Sequence, residues 1–217
     1  KTVRDTVSSI ARFEGDSIAL YNRVAWKDET LWYDLGDSEW KAIKVTNEKW
    51  EVISNPPILF RHYEHQSPQV IPTVAGGDVK KLLDFVNVTD PAQQMLFLVW
   101  VISCFIPDFP HVVASIHGQQ GSAKSVISRI CRMIIDPSQL LTLNFPTNRK
   151  EFVQTLDHHW VLPFDNLSRF PKWGADSVCR AVTGEGDSKR KLFTDNKDII
   201  VSFKRCIILN GINLASE

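Results

Sequence analysis

The sequence feature that most constrains this chain is a glycine-rich run of eight residues, Gly118-Gln119-Gln120-Gly121-Ser122-Ala123-Lys124-Ser125. A short apolar run precedes it at 112–116, and a stretch with the spacing of an amphipathic helix follows it at 125–135. A strand, a glycine-rich turn and a helix that begins with Lys-Ser together form a loop that cradles phosphates. The alternative is a chance turn that contains glycines, serines and a lysine. The flanking strand and helix favour the phosphate-binding P-loop.

Each part of this loop has a predicted role in nucleotide binding. The glycines allow successive backbone N–H groups to point at a polyphosphate, and the Lys124 ammonium reaches its terminal phosphates. The Ser125 hydroxyl is the predicted ligand of Mg²⁺, and the N-terminus of the helix adds a positive partial charge. We therefore predict ATP and Mg²⁺ as cofactors. Ala123 replaces the consensus glycine, and we expect its backbone to stay helical without a positive φ.

An acidic residue at the end of a nearby strand is the second requirement of such a site. The apolar run 160–164 ends at Asp165, which we interpret as the Walker B acid that holds Mg²⁺. The alternative is a turn residue or a helix N-cap. Asn166 occupies the position at which many related ATPases carry a carboxylate that activates the attacking water. An amide orients water but accepts a proton poorly, so we expect slow hydrolysis or a base supplied by Asp165 or another carboxylate.

Two further segments complete the pattern. The apolar run 205–209 ends at Asn210, whose amide would contact the γ-phosphate or the attacking water. Between the two strands, glycines precede three consecutive basic residues, Lys189, Arg190 and Lys191, and an apolar run follows. This pattern predicts a β-hairpin whose basic side chains contact nucleic-acid phosphates. A solvated surface hairpin is the alternative.

These segments resemble those of the superfamily-3 helicases of viruses and phages. The matching residues are Asp-Asn-Leu-Ser at 165–168, Cys-Arg-x-x-Thr-Gly at 179–184, Thr-Gly-Glu-Gly-Asp at 183–187 and Leu-Phe-Thr-Asp at 192–195. The chain also resembles phage- and prophage-encoded primase-helicase ATPases of the poxvirus type. The resemblance extends over about residues 19–213 and is specific from Gly118 onward.

The resemblance implies an AAA+-like ATPase that assembles as a ring, usually a hexamer, and moves along single-stranded DNA. In that family the residues at the positions of Lys124 and Ser125 bind phosphate and Mg²⁺. The equivalents of Asp165 and Asn210 are the Walker B acid and the sensor, and residues like Lys189, Arg190 and Lys191 contact DNA. Glu185 stands where the family often has glycine.

Length and patterning predict an α/β fold. Short apolar runs with polar breaks indicate a small antiparallel β-rich N-terminal domain at 1–65, followed by a linker and helix at 66–90. Alternating strands and helices then predict a P-loop NTPase core with a mainly parallel sheet and flanking helices at 91–217. The tryptophans of the first 50 residues are expected to fill the small sheet's core, with stacking on bases as the alternative. Residues 61–65 hold an HxxH pair that we interpret as part of an exposed loop rather than a metal site.

Composition excludes several functional classes. The formal net charge is zero, so any nucleic-acid binding must come from a local patch. The longest apolar run, 95–106, is too short for a membrane span and suits a buried helix. The four cysteines include no CxxC pair, which favours buried reduced thiols over zinc. No signal peptide is visible, so we expect the cytoplasm of a bacterial or phage-infected cell. The first residue is Lys, which suggests a piece of a longer protein.

Three functions fit these observations. The first is the ATP-hydrolysing motor of a helicase or translocase that acts on single-stranded DNA in phage or mobile-element replication. The second is a nucleotide-binding switch or scaffold with little hydrolysis, favoured by Ala123 and Asn166. The third is a defence or partition ATPase on the same fold. The order of the motifs and the basic hairpin favour the motor.

Overall fold

The structure, a computed structural model, describes residues 2–15, 18–118, 121, 123–167, 169–185, 187–190 and 198–211, with only the backbone for 2, 12, 187–190 and 198–201. The first part of the chain contains one helix and six strands: α1 (Thr2–Phe13), β1 (Leu20–Tyr21), β2 (Val24–Lys27), β3 (Thr30–Asp34), β4 (Lys41–Val45), β5 (Trp50–Ser54) and β6 (Leu59–Phe60). A 3₁₀-helix (Val79–Phe85) comes next. The remainder contains α2 (Pro91–Ser103), β7 (Ala114–His117), α3 (Lys124–Ile135), α4 (Arg149–His158), β8 (Val161–Leu167), α5 (Gly174–Thr183), β9 (Asp187–Arg190), β10 (Asp198–Val201) and β11 (Cys206–Gly211).

The N-terminal strands β2, β3, β4 and β5 form an antiparallel sheet in chain order, the meander that the sequence predicts. The prediction that its tryptophans fill the core is wrong for three of four. Trp32, in the middle of β3, is buried, but Trp26, Trp40 and Trp50 are 53%, 50% and 39% exposed. Trp26 and Trp50 lie near the ends of β2 and β5, and Trp40 lies just before β4, where its ring stacks on His62.

The second sheet is parallel, with the strand order β7-β11-β8. Successive residues of β11 face opposite sides, as the period of a strand requires. Ile208 packs in the cluster that contains helix α3, and Ile207 packs in the cluster that contains helices α4 and α5. The expected mixed α/β fold with a parallel sheet and flanking helices is therefore confirmed. Within the described residues, no helix is both long and apolar enough to span a membrane.

The two sheets share a hydrophobic core. Tyr33 and Leu35 of the antiparallel part pack in one cluster with Cys131 and Ile135 of α3. The stretch expected to be a linker also packs here, because the Gln69 amide donates to Ile134 O at 2.8 Å. The domain boundaries at 65 and 90 stay a prediction, and the interior is continuous across them.

Helix α2 is only half covered, so the expected buried helix is wrong on one face. Leu98, Trp100 and Val101 are buried against the core. Leu96 and Val99, on the other face, are 61% and 54% exposed. The helix is apolar all round, and its sequence therefore carries no periodic signal that separates the two faces.

Pro163 lies inside β8, where a proline would normally remove a bond of the sheet. Leu143 N donates to Pro163 O at 2.8 Å, and Asp165 N donates to Leu143 O at 3.0 Å. The backbone polar groups of residue 163 therefore point to the outer edge, away from β11. The proline ring costs no hydrogen bond between β8 and β11, and the strand continues to Asp165.

A buried ionic network joins both parts of the molecule. Asp136, immediately after α3, pairs with Arg23 and Arg132, each at 2.9 Å. Arg132 also contacts His159 Nδ1 at 2.8 Å. Burial alone would raise the pKa of Asp136, but Arg132 and Arg23 hold this pKa well below its usual range. Burial, together with the charge of Arg132, lowers the pKa of His159 to about 3, so its imidazole is neutral.

The residue immediately before helix α3 has a strained backbone. Ala123, directly before the helix, has φ +59° and ψ 17°, the left-handed conformation. The expectation that it needs no positive φ is therefore wrong. A left-handed backbone costs an L-residue roughly 1–2 kcal/mol, which glycine avoids. The strain explains physically why glycine suits this position.

Replacing Ala123 with glycine should raise stability. Release of the left-handed strain outweighs the additional entropy of glycine in the unfolded chain, for a net gain of about 0.5–1 kcal/mol. Urea denaturation monitored by tryptophan fluorescence measures this difference. The control is Ala175→Gly, an exposed helical position in α5, which should lose about 0.5–1 kcal/mol. An equal loss in both variants would contradict the strain.

Stability should fall with acidification because His159 is neutral in the folded state. Its folded pKa lies below the value of about 6.5 in the unfolded chain. Its contribution is therefore fully present above that value and is lost as pH falls. Between pH 7 and 5 this one residue should lower the free energy of unfolding by about 2 kcal/mol.

The variant His159→Asn tests this expectation, because it keeps an acceptor for Arg132 and does not titrate. Urea denaturation at pH 7, 6 and 5 should show a smaller decrease for the variant, by about 2 kcal/mol. The same decrease in the parent and the variant would show that His159 is not the group responsible.

Candidate functional site

The predicted site residues meet at one edge of the parallel sheet. Strands β7, β8 and β11 run in the same direction, and Gly211 pairs with both His117 and Leu167. The carboxyl ends of the three strands are therefore level with one another. In parallel α/β sheets this edge is where ligands bind.

Three polar side chains form a compact cluster at this edge. Ser125 Oγ donates to Asp165 Oδ1 at 3.1 Å. Asn210 Nδ2 donates to the same carboxylate oxygen at 2.5 Å and to Ser125 Oγ at 3.2 Å. Asn210 is only 2% exposed, and the other two are half-buried. The structure thus brings together three residues that the sequence placed on separate elements.

A β-bulge aims Asp165 at this cluster. Leu209 pairs with Phe164, and Gly211 pairs with Leu167, so Asn210 alone faces two residues of β8. The second of these, Asn166, has φ +58°. Asparagine tolerates this left-handed conformation better than most residues. The bulge turns the carboxylate toward Ser125, as bulges beside active sites commonly do.

The structure gives Asn166 a backbone role that the sequence did not indicate. Its N–H donates to Asp165 Oδ1 at 2.8 Å, and its side chain is exposed. The amide thus supports the acidic residue beside it. Its predicted contact with an attacking water stays a prediction.

The glycine-rich loop joins β7 to α3. Lys124 is the first residue of α3, and its Nζ donates to Gly118 O at 2.8 Å. Gly121 has φ +84°, and a Cβ there would meet no atom of the described residues within 4 Å. Conformation rather than space therefore favours glycine at this position. Gln119, Gln120 and Ser122 lie outside the described residues.

The predicted hairpin exists at the level of the backbone. Strands β9 and β10 are antiparallel, with Arg190 opposite Asp198 and Lys189 opposite Ile199. The side chains of Lys189 and Arg190, and the whole of Lys191, lie outside what the structure describes. Their predicted contact with DNA stays a prediction.

The HxxH pair does not lie in an exposed loop, so that expectation is wrong. His62 lies 3.0 Å from Asp34 and stacks on Trp40. His65 is half-buried and stacks on His159 at 4.1 Å between ring centroids. The two imidazoles thus pack against different partners. They are not among the groups of potential metal ligands found in the described part of the chain.

A cleft of about 810 Å³ lies beside the site, between α2 and β7. His117, next to Gly118, lines one part of it. Apolar side chains that include Val86, Phe97 and Ile116 form much of its wall. The cleft therefore offers an apolar surface directly beside the glycine-rich loop. The sequence did not indicate it, because its walls come from separate segments.

Solved structures of the NrS-1 C-terminal region, in the apo form, have limited similarity to this chain. One is 14% identical, with a TM-score of 0.48 over 84% of this chain and 54% of the other. A second is 14% identical, with a TM-score of 0.45 over 87% and 54%. A third is 12% identical, with a TM-score of 0.43 over 88% and 53%. The chain thus spans about half the length of these solved chains.

No curated protein matches the sequence. Residues 79–216 match the sequence profile AICE_RepA, described as the actinomycete integrative conjugative element replication protein. The matched segment is well over half of the 217 residues and includes the glycine-rich loop, Asp165 and Asn210. The chain therefore belongs to the family of actinomycete integrative conjugative element replication proteins.

Proposed function

We propose that this chain is the ATP-driven motor core of a replication helicase or translocase that acts on single-stranded DNA of a mobile element. Its parallel sheet would be a P-loop NTPase core of the AAA+ type, and identical subunits would assemble as a ring, usually a hexamer. The observation that carries the proposal is the cluster of Ser125, Asp165 and Asn210 at the sheet edge where the glycine-rich loop also ends.

The oxygen atoms of this cluster fit Mg²⁺. Ser125 Oγ and Asp165 Oδ1 lie 3.1 Å apart. Adjacent oxygens of an octahedral Mg²⁺, each at 2.0–2.1 Å from the ion, lie about 3 Å apart. Both are hard oxygen donors, the type that Mg²⁺ prefers. When bound, the ion would neutralise phosphate charge, and Ser125 and Asp165 would hold it.

The glycine-rich loop supplies the complementary positive charge. The Lys124 ammonium is tethered beside Gly118 and lies at the first turn of α3. The N-terminus of a helix attracts phosphate through its unpaired N–H groups and its dipole. The adjacent apolar cleft would accept the base and sugar, because it begins beside His117. A nucleoside triphosphate matches this arrangement in charge and in polarity.

Asn210 would orient the reacting groups. Its amide is buried and donates to both Ser125 and Asp165, so its position is fixed by the two residues that would hold the metal. Its Oδ1 atom could accept from a water beside the site with little reorganisation, whereas a terminal phosphate would replace one of the two partners of its Nδ2 atom.

A nucleotide-binding switch with little hydrolysis is the second candidate. The observation that favours it is Asn166, exposed and held in a left-handed bulge where a carboxylate base would be expected. A switch needs binding and a conformational response, whereas a motor needs turnover that DNA stimulates. Turnover measured with and without DNA therefore distinguishes the two.

Removal of the lysine charge should weaken nucleotide binding. Lys124→Ala should weaken binding of a fluorescent ATP analogue by roughly 10–100-fold, as expected for losing a charged hydrogen bond worth about 1.5–3 kcal/mol. Asp165→Asn should abolish the gain in affinity that Mg²⁺ gives the parent. Fluorescence anisotropy with Mg²⁺ and with chelator measures both effects.

The control for this experiment is Lys150→Ala, which removes an exposed lysine from α4. It should bind the nucleotide like the parent. Parent-like affinity in Lys124→Ala would overturn the nucleotide site, and so would a parent-like response to Mg²⁺ in Asp165→Asn.

The hairpin should couple turnover to DNA. In Lys189→Ala with Arg190→Ala, the ratio of ATP turnover with single-stranded DNA to turnover without it should fall to about one, because phosphate contacts are lost. A steady-state ATPase assay at several salt concentrations measures this ratio. The control is Lys80→Ala with Lys81→Ala, an exposed basic pair on the 3₁₀-helix.

Three outcomes of this assay are informative. Stimulation of the parent and of the control alone supports the motor. Equal stimulation in the hairpin variant overturns the assignment of the hairpin. Nucleotide binding without turnover in the parent, with or without DNA, supports the switch.

A further inference from the structure

Three side chains of types that can ligate a metal, from distant parts of the chain, meet at the opposite end of the sheet. Cys104 caps α2, His111 lies in the connection to β7, and Cys206 is the first residue of β11. Their ligand atoms all lie within 4.8 Å of one another. All three are buried, with exposures of 0%, 1% and 0%.

Both ring nitrogens of His111 are buried, and the described residues leave their hydrogen-bonding capacity unused. Neither Nδ1 nor Nε2 has a hydrogen-bond partner among the described residues. A buried polar atom without a partner is rare in folded proteins and calls for an explanation. An unpartnered imidazole nitrogen beside two thiols is an available metal ligand.

We propose that Cys104, His111 and Cys206 bind a zinc ion, with a water molecule as the fourth ligand. Zinc binds thiolate sulfur at about 2.3 Å and imidazole nitrogen at about 2.0–2.1 Å in tetrahedral geometry. Such ligands lie about 3.5–3.8 Å from one another. The observed cluster, within 4.8 Å, reaches this geometry with small side-chain movements.

Charge balance favours zinc in this interior. Both thiols lose their protons to solvent on binding, and two thiolates with one Zn²⁺ have no net charge. A neutral site avoids the cost of a buried uncompensated charge. Sulfur ligands also select zinc over Mg²⁺, which prefers oxygen, so this site is chemically distinct from the cluster around Asp165.

The sequence interpretation disfavoured zinc because no CxxC pair exists. Spacing along the chain does not decide the matter here, because the three proposed ligands come from separate elements. The structure also corrects the expectation of four buried thiols, because Cys179 is exposed.

Metal content of the full chain tests the proposal. The chain, purified without added chelator and supplied with zinc, should retain about one zinc ion per chain after desalting. X-ray absorption at the zinc edge should give two sulfur ligands and one imidazole nitrogen, with an oxygen as the fourth. This measurement needs no variant. A shell of oxygen and nitrogen alone, or no retained zinc, would overturn the site.

Variants then test which residues bind the ion. Cys104→Ser and Cys206→Ser should each lose most of the zinc and weaken the thiolate-to-metal charge-transfer absorption of the cobalt-substituted chain. Cys179→Ser, which changes an exposed thiol, should retain both. If the serine variants do not fold, the X-ray absorption of the parent decides. A disulfide between Cys104 and Cys206, found by thiol counting before reduction, would overturn the proposal.

Discussion

The buried carboxylate of Asp136 is the interaction on which the arrangement of the site depends. It accepts hydrogen bonds from the Trp160 and Val161 backbone at the start of β8 while it pairs with Arg132 of α3. Arg23 brings the N-terminal sheet to the same point. One charge thus joins the end of α3 to the beginning of β8. Loss of one partner from such a group typically costs about 3–5 kcal/mol, because a buried charge is left uncompensated.

This anchor lies far from the candidate nucleotide site and yet helps to determine its geometry. Helix α3 begins at Lys124 and ends beside Asp136, and β8 begins beside Asp136 and reaches Asp165 before it ends. Between these ends the helix also packs against the sheet, with Ile127 and Cys131 in the same cluster as Ile208. The separation of Ser125 and Asp165 therefore depends on the anchor at one end together with this packing along the helix. Arg23 links the antiparallel sheet to the same point, and Tyr33 and Leu35 of that sheet pack in the shared core.

The sequence predicted most of the site because strand order and strand direction determine it. The residues at the ends of parallel strands meet at one edge, so Asp165 and Asn210 could be assigned from hydrophobic runs alone. The left-handed φ of Ala123 was missed, although the consensus glycine at this position is the residue type that adopts such a φ without strain. The group formed by Cys104, His111 and Cys206 had no local pattern. It exists only once three separate elements have packed together.

Strand β11 connects the two candidate sites. Cys206 begins the strand, and Asn210 lies four residues later, about 13 Å along it. Because side chains alternate along a strand, Cys206, Ile208 and Asn210 point to the same face. Ile208 packs in the cluster that contains α3, so this face of the strand is held in place between the two ends. With zinc bound as proposed, the metal would fix the position of β11 along the sheet at Cys206. Because Asn210 lies on the same strand, its buried amide, which contacts both Ser125 and Asp165, would be held in place as well.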